Sequence, residues 1–211
     1  MSPKVKNAIE WGYCLIIALV LAITVRYFVG TPTVVKQVSM QPTFVENQRL
    51  ILNRLAVTFD YDWKRGDIIT FEAPSNPTVS LDEADLLNPI AKYENEPQSL
   101  ISKFSYYVLE VGKMSYIKRI IGLPGDHVQI RAGKVFINGE EYDEPYLNGV
   151  ETGDMNGIFT DIIVPENCVY VMGDNRPHST DSRCFGCIPM KKIEGKVVFR
   201  FWPLNKLGVI E

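Results

Sequence analysis

Residues 116–139, YIKRIIGLPGDHVQIRAGKVFING, carry the pattern that decides the fold. Apolar and β-branched runs at Tyr116–Ile121, Asp126–Arg131 and Lys134–Ile137 are too short for helices. Leu123-Pro124-Gly125-Asp126, Ala132-Gly133 and Asn138-Gly139 punctuate them. Proline and glycine at such places end regular structure, and a Gly-containing dipeptide between two runs is a tight-hairpin signal. The same grammar extends outward to Thr33–Val38, Arg49–Leu55, Asp67–Phe71, Asp161–Val164, Cys168–Met172 and Lys196–Phe201, with turns at Arg65-Gly66-Asp67 and Pro165-Glu166-Asn167. Many short strands parted by turns predict a mostly β domain, barrel- or sandwich-like. Residues 75–115 break this rhythm with prolines and acidic residues, and are expected to be an insertion, irregular or partly helical, with helix around Gln98–Lys113.

Upstream of the strands, Ile9–Val29 reads IEWGYCLIIALVLAITVRYFV. As a helix it rises about 30 Å, enough to cross the hydrocarbon of a bilayer. Arg26 lies near one end, where a long side chain reaches headgroups, and Trp11, Tyr13, Tyr27 and Phe28 suit the two interfaces. Lys4 and Lys6 precede the span, so the positive-inside tendency places residues 1–8 in the cytoplasm and residues 30–211 outside. A cleaved signal peptide is the competing reading, but no small-x-small cleavage pattern follows; a buried core helix would carry cap signals that are missing.

The chain has 211 residues and a net charge of −3, with 46% hydrophobic residues. That suits one compact domain with a core, and the lack of a concentrated basic run argues against nucleic acid as a partner.

Three stretches combine reactive side chains with unusual backbone. Val38-Ser39-Met40-Gln41-Pro42-Thr43 puts a serine at the end of a strand before a proline-directed turn. Tyr116–Asp126 puts Lys118 in an otherwise apolar strand, on the face of Ile120 and opposite Ile117 and Arg119. If that face is buried, desolvation lowers the lysine pKa and makes it a base able to take a serine proton. Gly173–Arg183, GDNRPHSTDSR, is a dense polar loop after an apolar strand. Each residue alone has a plainer reading: a turn hydroxyl for Ser39, a snorkelling lysine for Lys118, a strand-surface residue for His127. A Ser–His–Asp triad using His178 with Asp174 or Asp181 is the other catalytic arrangement open to this loop.

Taken together and in order, the stretches resemble the bacterial type I signal peptidases, or leader peptidases. Ser39-Met40-Gln41-Pro42-Thr43 is similar to the family's nucleophile box, Arg65–Phe71 to its Gly-Asp strand box, Tyr116–Asp126 to its lysine box and Gly173–Arg183 to its last box. The resemblance covers most of the chain except residues 75–115. It implies a membrane-anchored serine endopeptidase with a mostly β catalytic domain that rests an apolar surface on the membrane and removes signal peptides bearing small residues, typically Ala-x-Ala, before the cleaved bond. Ser39 would be the nucleophile and Lys118 the general base. Ser179 would hydrogen-bond and orient the lysine, Asp181 and Arg183 would form a supporting ion pair, and Asp174 and Arg176 would shape the loop.

An extended substrate is expected to pair with Val34–Val38 and Ser115–Ile117, with Val35, Met40, Phe44 and Ile117 lining its pockets. Where some relatives carry a serine or glycine before the nucleophile, this chain has Gln37 and Val38. The oxyanion donors are then expected to be the Ser39 N–H and the Gln37 amide.

No cofactor or metal is expected. Cys168, Cys184 and Cys187 read as a disulfide or free thiols in preference to a Cys₃His zinc site with His178, whose spacing matches no zinc pattern. A tethered β-domain that only binds a partner would leave Ser39 and Lys118 far apart, whereas a specialised peptidase for a narrow set of secreted clients would share the site. The expected partners are preproteins and the lipid bilayer.

Overall fold

A computed structural model describes residues 3–94, 96–154 and 157–210. The N-terminal helix α1 (Pro3–Thr24) runs into a wider helical turn, Val25–Val29, and together they are long and apolar enough to cross a membrane. None of its apolar stretch is buried against the rest of the chain, so it is not a core helix. It starts six residues before the expected Ile9, because Lys4, Lys6 and Asn7 continue the helix without a breaker.

The remainder is mostly β. The strands are β1 (Gly30–Val34), β2 (Arg49–Asn53), β3 (Ile68–Glu72), β4 (Ser115–Gly122), β5 (His127–Arg131), β6 (Lys134–Ile137), β7 (Glu140–Glu141), β8 (Asp161–Ile163), β9 (Cys168–Met172), β10 (Ile188–Pro189), β11 (Ile193–Trp202) and β12 (Gly208–Val209). The large sheet has the order β1-β2-β11-β3-β4-β9-β10, with β12 also on β11; the small sheet has the order β7-β6-β5-β8. All the pairings in both sheets are antiparallel. Both predicted hairpins form, with Ala132-Gly133 and Asn138-Gly139 at positive φ (49° and 76°; 54° and 87°), as two-residue turns of the primed type require.

Two expected strands end early, for local reasons. After Val34, Val35 exchanges one bond each with Gln48 and Asn47, and the chain then leaves the sheet for a 3₁₀ turn over Val38–Met40. Ser39 therefore lies in the β1–β2 connection rather than at a strand end. At the other side, Oδ1 of Asn53 accepts the Leu55 N–H at 3.0 Å and starts the short helix α2 (Leu55–Thr58). The insertion between β3 and β4 is largely irregular, with a 3₁₀ turn at Leu81–Glu83 and helix α3 (Leu100–Lys103) continuing into a wider turn over Phe104–Val108.

Three apolar clusters hold the domain. One lies between the small sheet and β9, with Val128, Val135, Ile162 and Tyr170. A second backs the centre of the large sheet, with Ile69, Ile120, Val171 and Phe185. The third, with Val35, Met40, Phe44, Leu50, Leu52, Ile68 and Val197, lies directly under the turn that carries Ser39.

Candidate active site

Ser39 and Lys118, 79 residues apart in sequence, meet: Nζ of Lys118 donates to Oγ of Ser39 at 2.7 Å. Each is held by its own element. Met40 and Phe44 anchor the serine turn in the apolar cluster beneath it, and the turn closes through Gln41 N–H to Val38 O at 3.0 Å. Lys118 sits in β4 opposite Ile69 of β3 and is 1% exposed. Burial pushes its ammonium down to about 8; Asp181 and Asp174 pull the other way without offsetting it, and Arg183 adds to the depression. The ring of Tyr116, two residues earlier on the same face, has its centroid 5.4 Å from Nζ.

Arg119 leaves the opposite face of β4 and forks onto Asp174, Nε to Oδ1 at 2.9 Å and Nη2 to Oδ2 at 2.7 Å, while its guanidinium lies 3.9 Å from the Tyr146 ring centre. The Thr43 hydroxyl donates to the same carboxylate at 2.5 Å. One buried aspartate thus joins the serine turn, the lysine strand and the polar loop.

The loop itself grips Ser39. The Asn175 N–H donates to Ser39 O at 3.0 Å, and its Nδ2 donates to Val38 O at 3.1 Å. Gly173 is required by this closeness: a Cβ there would run into the Ser39 carbonyl and the Ser179 hydroxyl. Behind it, the fully buried Arg183 and Asp181 pair through two 2.8 Å bonds, and Arg183 also donates to Gly153 O, Arg176 O and Ser179 O. Burial alone would raise the Asp181 carboxyl; the bonded guanidinium overrides this and holds it below the usual range. Arg176, also buried, forks onto Glu144 and donates to Thr152 and Gly173 O.

Several sequence expectations need correcting. The Ser179 hydroxyl donates to Asp181 Oδ2 at 2.7 Å and not to Lys118, because a charged carboxylate is the stronger acceptor; the same oxygen also accepts from the Gly173 N–H and Arg183 Nη2. Val35, Met40 and Phe44 are core residues rather than pocket walls; of the four proposed lining residues only Ile117 is partly exposed. The Gln37 side chain is exposed on extended backbone. His178 is exposed, while Asp174 and Asp181 are occupied by Arg119 and Arg183, which leaves the triad arrangement without an orienting carboxylate. His127 meets Asp161 on the surface at 2.6 Å. The cysteines are free thiols, with Cys168 and Cys187 buried.

A family model described as signal peptidase, peptidase S26, matches residues 8–202. The chain belongs to this family. It is accordingly a serine peptidase, a hydrolase. Signal peptidase I P of Bacillus subtilis subsp. natto is 34% identical over 97% of this chain and 94% of its own length. The probable signal peptidase I-2 of Synechocystis is 31% identical over 99% of this chain and 80% of its own, and the signal peptidase I of Leptolyngbya laminosa 34% identical over 98% and 86%. A crystal structure of a signal peptidase I from Enterococcus faecalis V583 covers 64% of this chain and 96% of that chain at 28% identity, with a TM-score of 0.41.

For a chain of this family, Thr43, Gly173 and Asn175 were the site residues that periodicity left unremarked. All three lie inside the quoted stretches, but turn residues carry no periodic signal, and their partners are 130 or more residues away, as the Thr43–Asp174 and Asn175–Val38 bonds illustrate (131 and 137 residues).

Proposed function

We propose that this chain is a membrane-anchored signal peptidase that cleaves exported preproteins with a Ser39–Lys118 dyad. The observation that carries the reading is the 2.7 Å contact between Oγ and a buried amine whose pKa lies near 8. As a free base, Nζ takes the Ser39 proton while Oγ attacks the scissile carbonyl. The resulting ammonium returns a proton to the leaving amine, and an acyl-enzyme remains. Lys118 then deprotonates the water that releases the signal peptide and frees Ser39. The Ser39 N–H supports the oxyanion. Asp181 and Arg183 set the field around Lys118, and Ser179 acts through Asp181 rather than on the amine.

The open edges favour an extended substrate. β1 is the outermost strand of the large sheet, and β9 joins β4 only from Arg119 onward, which leaves Ser115–Lys118 free on that side among the described pairings. A preprotein strand fits between them with its small residues against Ile117, its scissile carbonyl reaching Ser39. The apolar Pro3–Val29 helix, with Lys4 and Lys6 in its first turns, supports an anchor with the N-terminus inside and residues 30–211 outside, where signal peptides emerge. Tethering at that surface raises the effective substrate concentration.

An Ala-x-Ala preprotein incubated with the wild type, Ser39→Ala and Lys118→Ala tests the dyad. Cleavage by the wild type alone is expected, with both variants still folded, as a single cooperative melting transition shows. Appreciable cleavage by either folded variant would remove the dyad.

A further inference from the structure

Arg119 and Arg176, which hold the polar loop, are themselves held from outside it, by one short turn next to the small sheet. After β7 the chain enters a 3₁₀ turn over Pro145–Leu147, with Glu144 before it and Asn148 closing it in the left-handed conformation. A proline at the start of the turn fixes the backbone between Glu144 and Tyr146. Tyr146 packs against the apolar cluster of the small sheet, and its ring lies over the Arg119 guanidinium with its centre 3.9 Å away. Its hydroxyl donates to Glu144 Oε1 at 2.6 Å, and the Glu144 carboxylate accepts Nη1 (3.0 Å) and Nη2 of Arg176. Burial, with Glu144 beside it, pushes the Tyr146 phenol well above its ordinary value, so it remains a donor at every working pH.

The two arginines take the loop from either side of Asp174. Arg176 Nε donates to Gly173 O at 3.0 Å, and Arg119 forks onto the Asp174 carboxylate. That carboxylate accepts the Thr43 hydroxyl, and the next residue, Asn175, donates its N–H to Ser39 O. Each route from the turn to Ser39 therefore passes through one arginine and the loop. A bidentate fork fixes a guanidinium against its carboxylate within the plane the two share. A ring stacked on the guanidinium restrains the remaining freedom, tilt out of that plane.

We propose that Tyr146 is a positioning residue for the cleavage reaction: stacked on Arg119 and bonded through Glu144 to Arg176, it sets where Gly173-Asp174-Asn175 holds Ser39 against Lys118. The inference rests on the reading of Ser39 and Lys118 as the catalytic dyad. It gives the small sheet, which contributes no side chain to the Ser39–Lys118 contact, a part in setting the rate of turnover.

Steady-state cleavage of an Ala-x-Ala preprotein by the full-length chain, well below its melting transition and across a range of pH, tests this. The ringless variants Tyr146→Leu and Tyr146→Met are expected to lose at least about tenfold in kcat with KM unchanged, since misplacing a reacting group by about 1 Å costs about a hundredfold. Tyr146→Phe keeps the ring over the guanidinium and is expected to keep most of the wild-type kcat. A ringless variant that does not melt in a single transition is set aside, and the other, with Tyr146→Phe, decides. Wild-type kcat in a ringless variant overturns the proposal, as does a Tyr146→Phe as slow as the ringless variants or a loss carried by KM. The pH midpoint near 8 is expected to stay in place, because burial of Lys118 sets it; a midpoint moved toward 10.5 would mean a site opened to water and overturns the proposal too. Ile162→Val removes a methyl from the same apolar cluster and is expected to melt lower with its kcat kept; an equal loss of kcat there would make the effect one of stability alone. Ser39→Ala run alongside separates the two readings. Cleavage by Ser39→Ala removes the dyad, whereas an inactive Ser39→Ala beside fully active ringless variants removes only the role of Tyr146.

Discussion

Lys118 and Arg119 are successive residues of β4 whose charged ends leave in opposite directions, the first to Ser39 at 2.7 Å and the second to Asp174 at 2.9 and 2.7 Å. Burial works against both charges. The bonded carboxylate overrides it for Arg119, which stays charged, whereas Lys118 has no directly bonded carboxylate and falls to about 8. One cation thus holds the site together and its neighbour is free to lose a proton.

The pH profile of kcat/KM follows from that difference. Only the neutral amine can accept the Ser39 proton, so activity is expected to rise with pH through a midpoint near 8 and to disappear in acid. A profile flat from mildly acidic to mildly alkaline pH would exclude Lys118 as the base.

The same burial predicts a stability cost. The folded pKa lies below the unfolded value of 10.5, so between about 8 and 10.5 the unfolded chain binds more protons and wild-type stability rises with pH. Below that window the penalty is fully present. Lys118→Met is expected to be inactive yet more stable at pH 7, by on the order of 3 kcal/mol, with the gain fading as pH approaches 10.5. Denaturant titrations of both proteins at several pH values check it.

Gly173→Ala tests the closeness of the loop to Ser39. The new methyl collides with the Ser39 carbonyl and the Ser179 hydroxyl and displaces the turn. A shift of about 1 Å in a reacting group lowers turnover by about a hundredfold. Cleavage rates within a few-fold of wild type would show that the loop yields without moving Ser39.

Asp181→Asn leaves the Arg183 guanidinium buried without its carboxylate. Breaking one side of such a pair costs about 3–5 kcal/mol, and the Asp181→Asn/Arg183→Met double variant is expected to cost less than the sum of the singles. Additive losses in urea unfolding would mean that the two residues act independently.

Much of this molecule was legible before its coordinates. Lys134–Ile137 and Cys168–Met172 form the strands that short apolar runs between turn residues predict, and Lys118 is buried on the face it shares with Ile120. Period-two patterning tells which residues share a face of a strand, but in β4 both faces are buried from Lys118 onward, so it could not tell which face is dry. It does not report where a loop closes. Met40 and Phe44 looked like pocket walls because they flank a reactive serine, but they are the apolar weight that holds its turn down. Ser179 was expected to serve the lysine, and the competing acceptor, Asp181 two residues away, became visible only with the backbone path of the loop. The same holds for Asn175 and Thr43, which act across the fold.

The order of strands in the large sheet has a consequence for how the two halves of the site are held. The β1–β2 ribbon, whose connection carries Ser39, and the β3–β4 pair, which carries Lys118, meet only on the two sides of β11, residues 193–202. That strand contributes no side chain to the Ser39–Lys118 contact, yet it is the ruler between them: a slip in its register would slide one half of the site past the other.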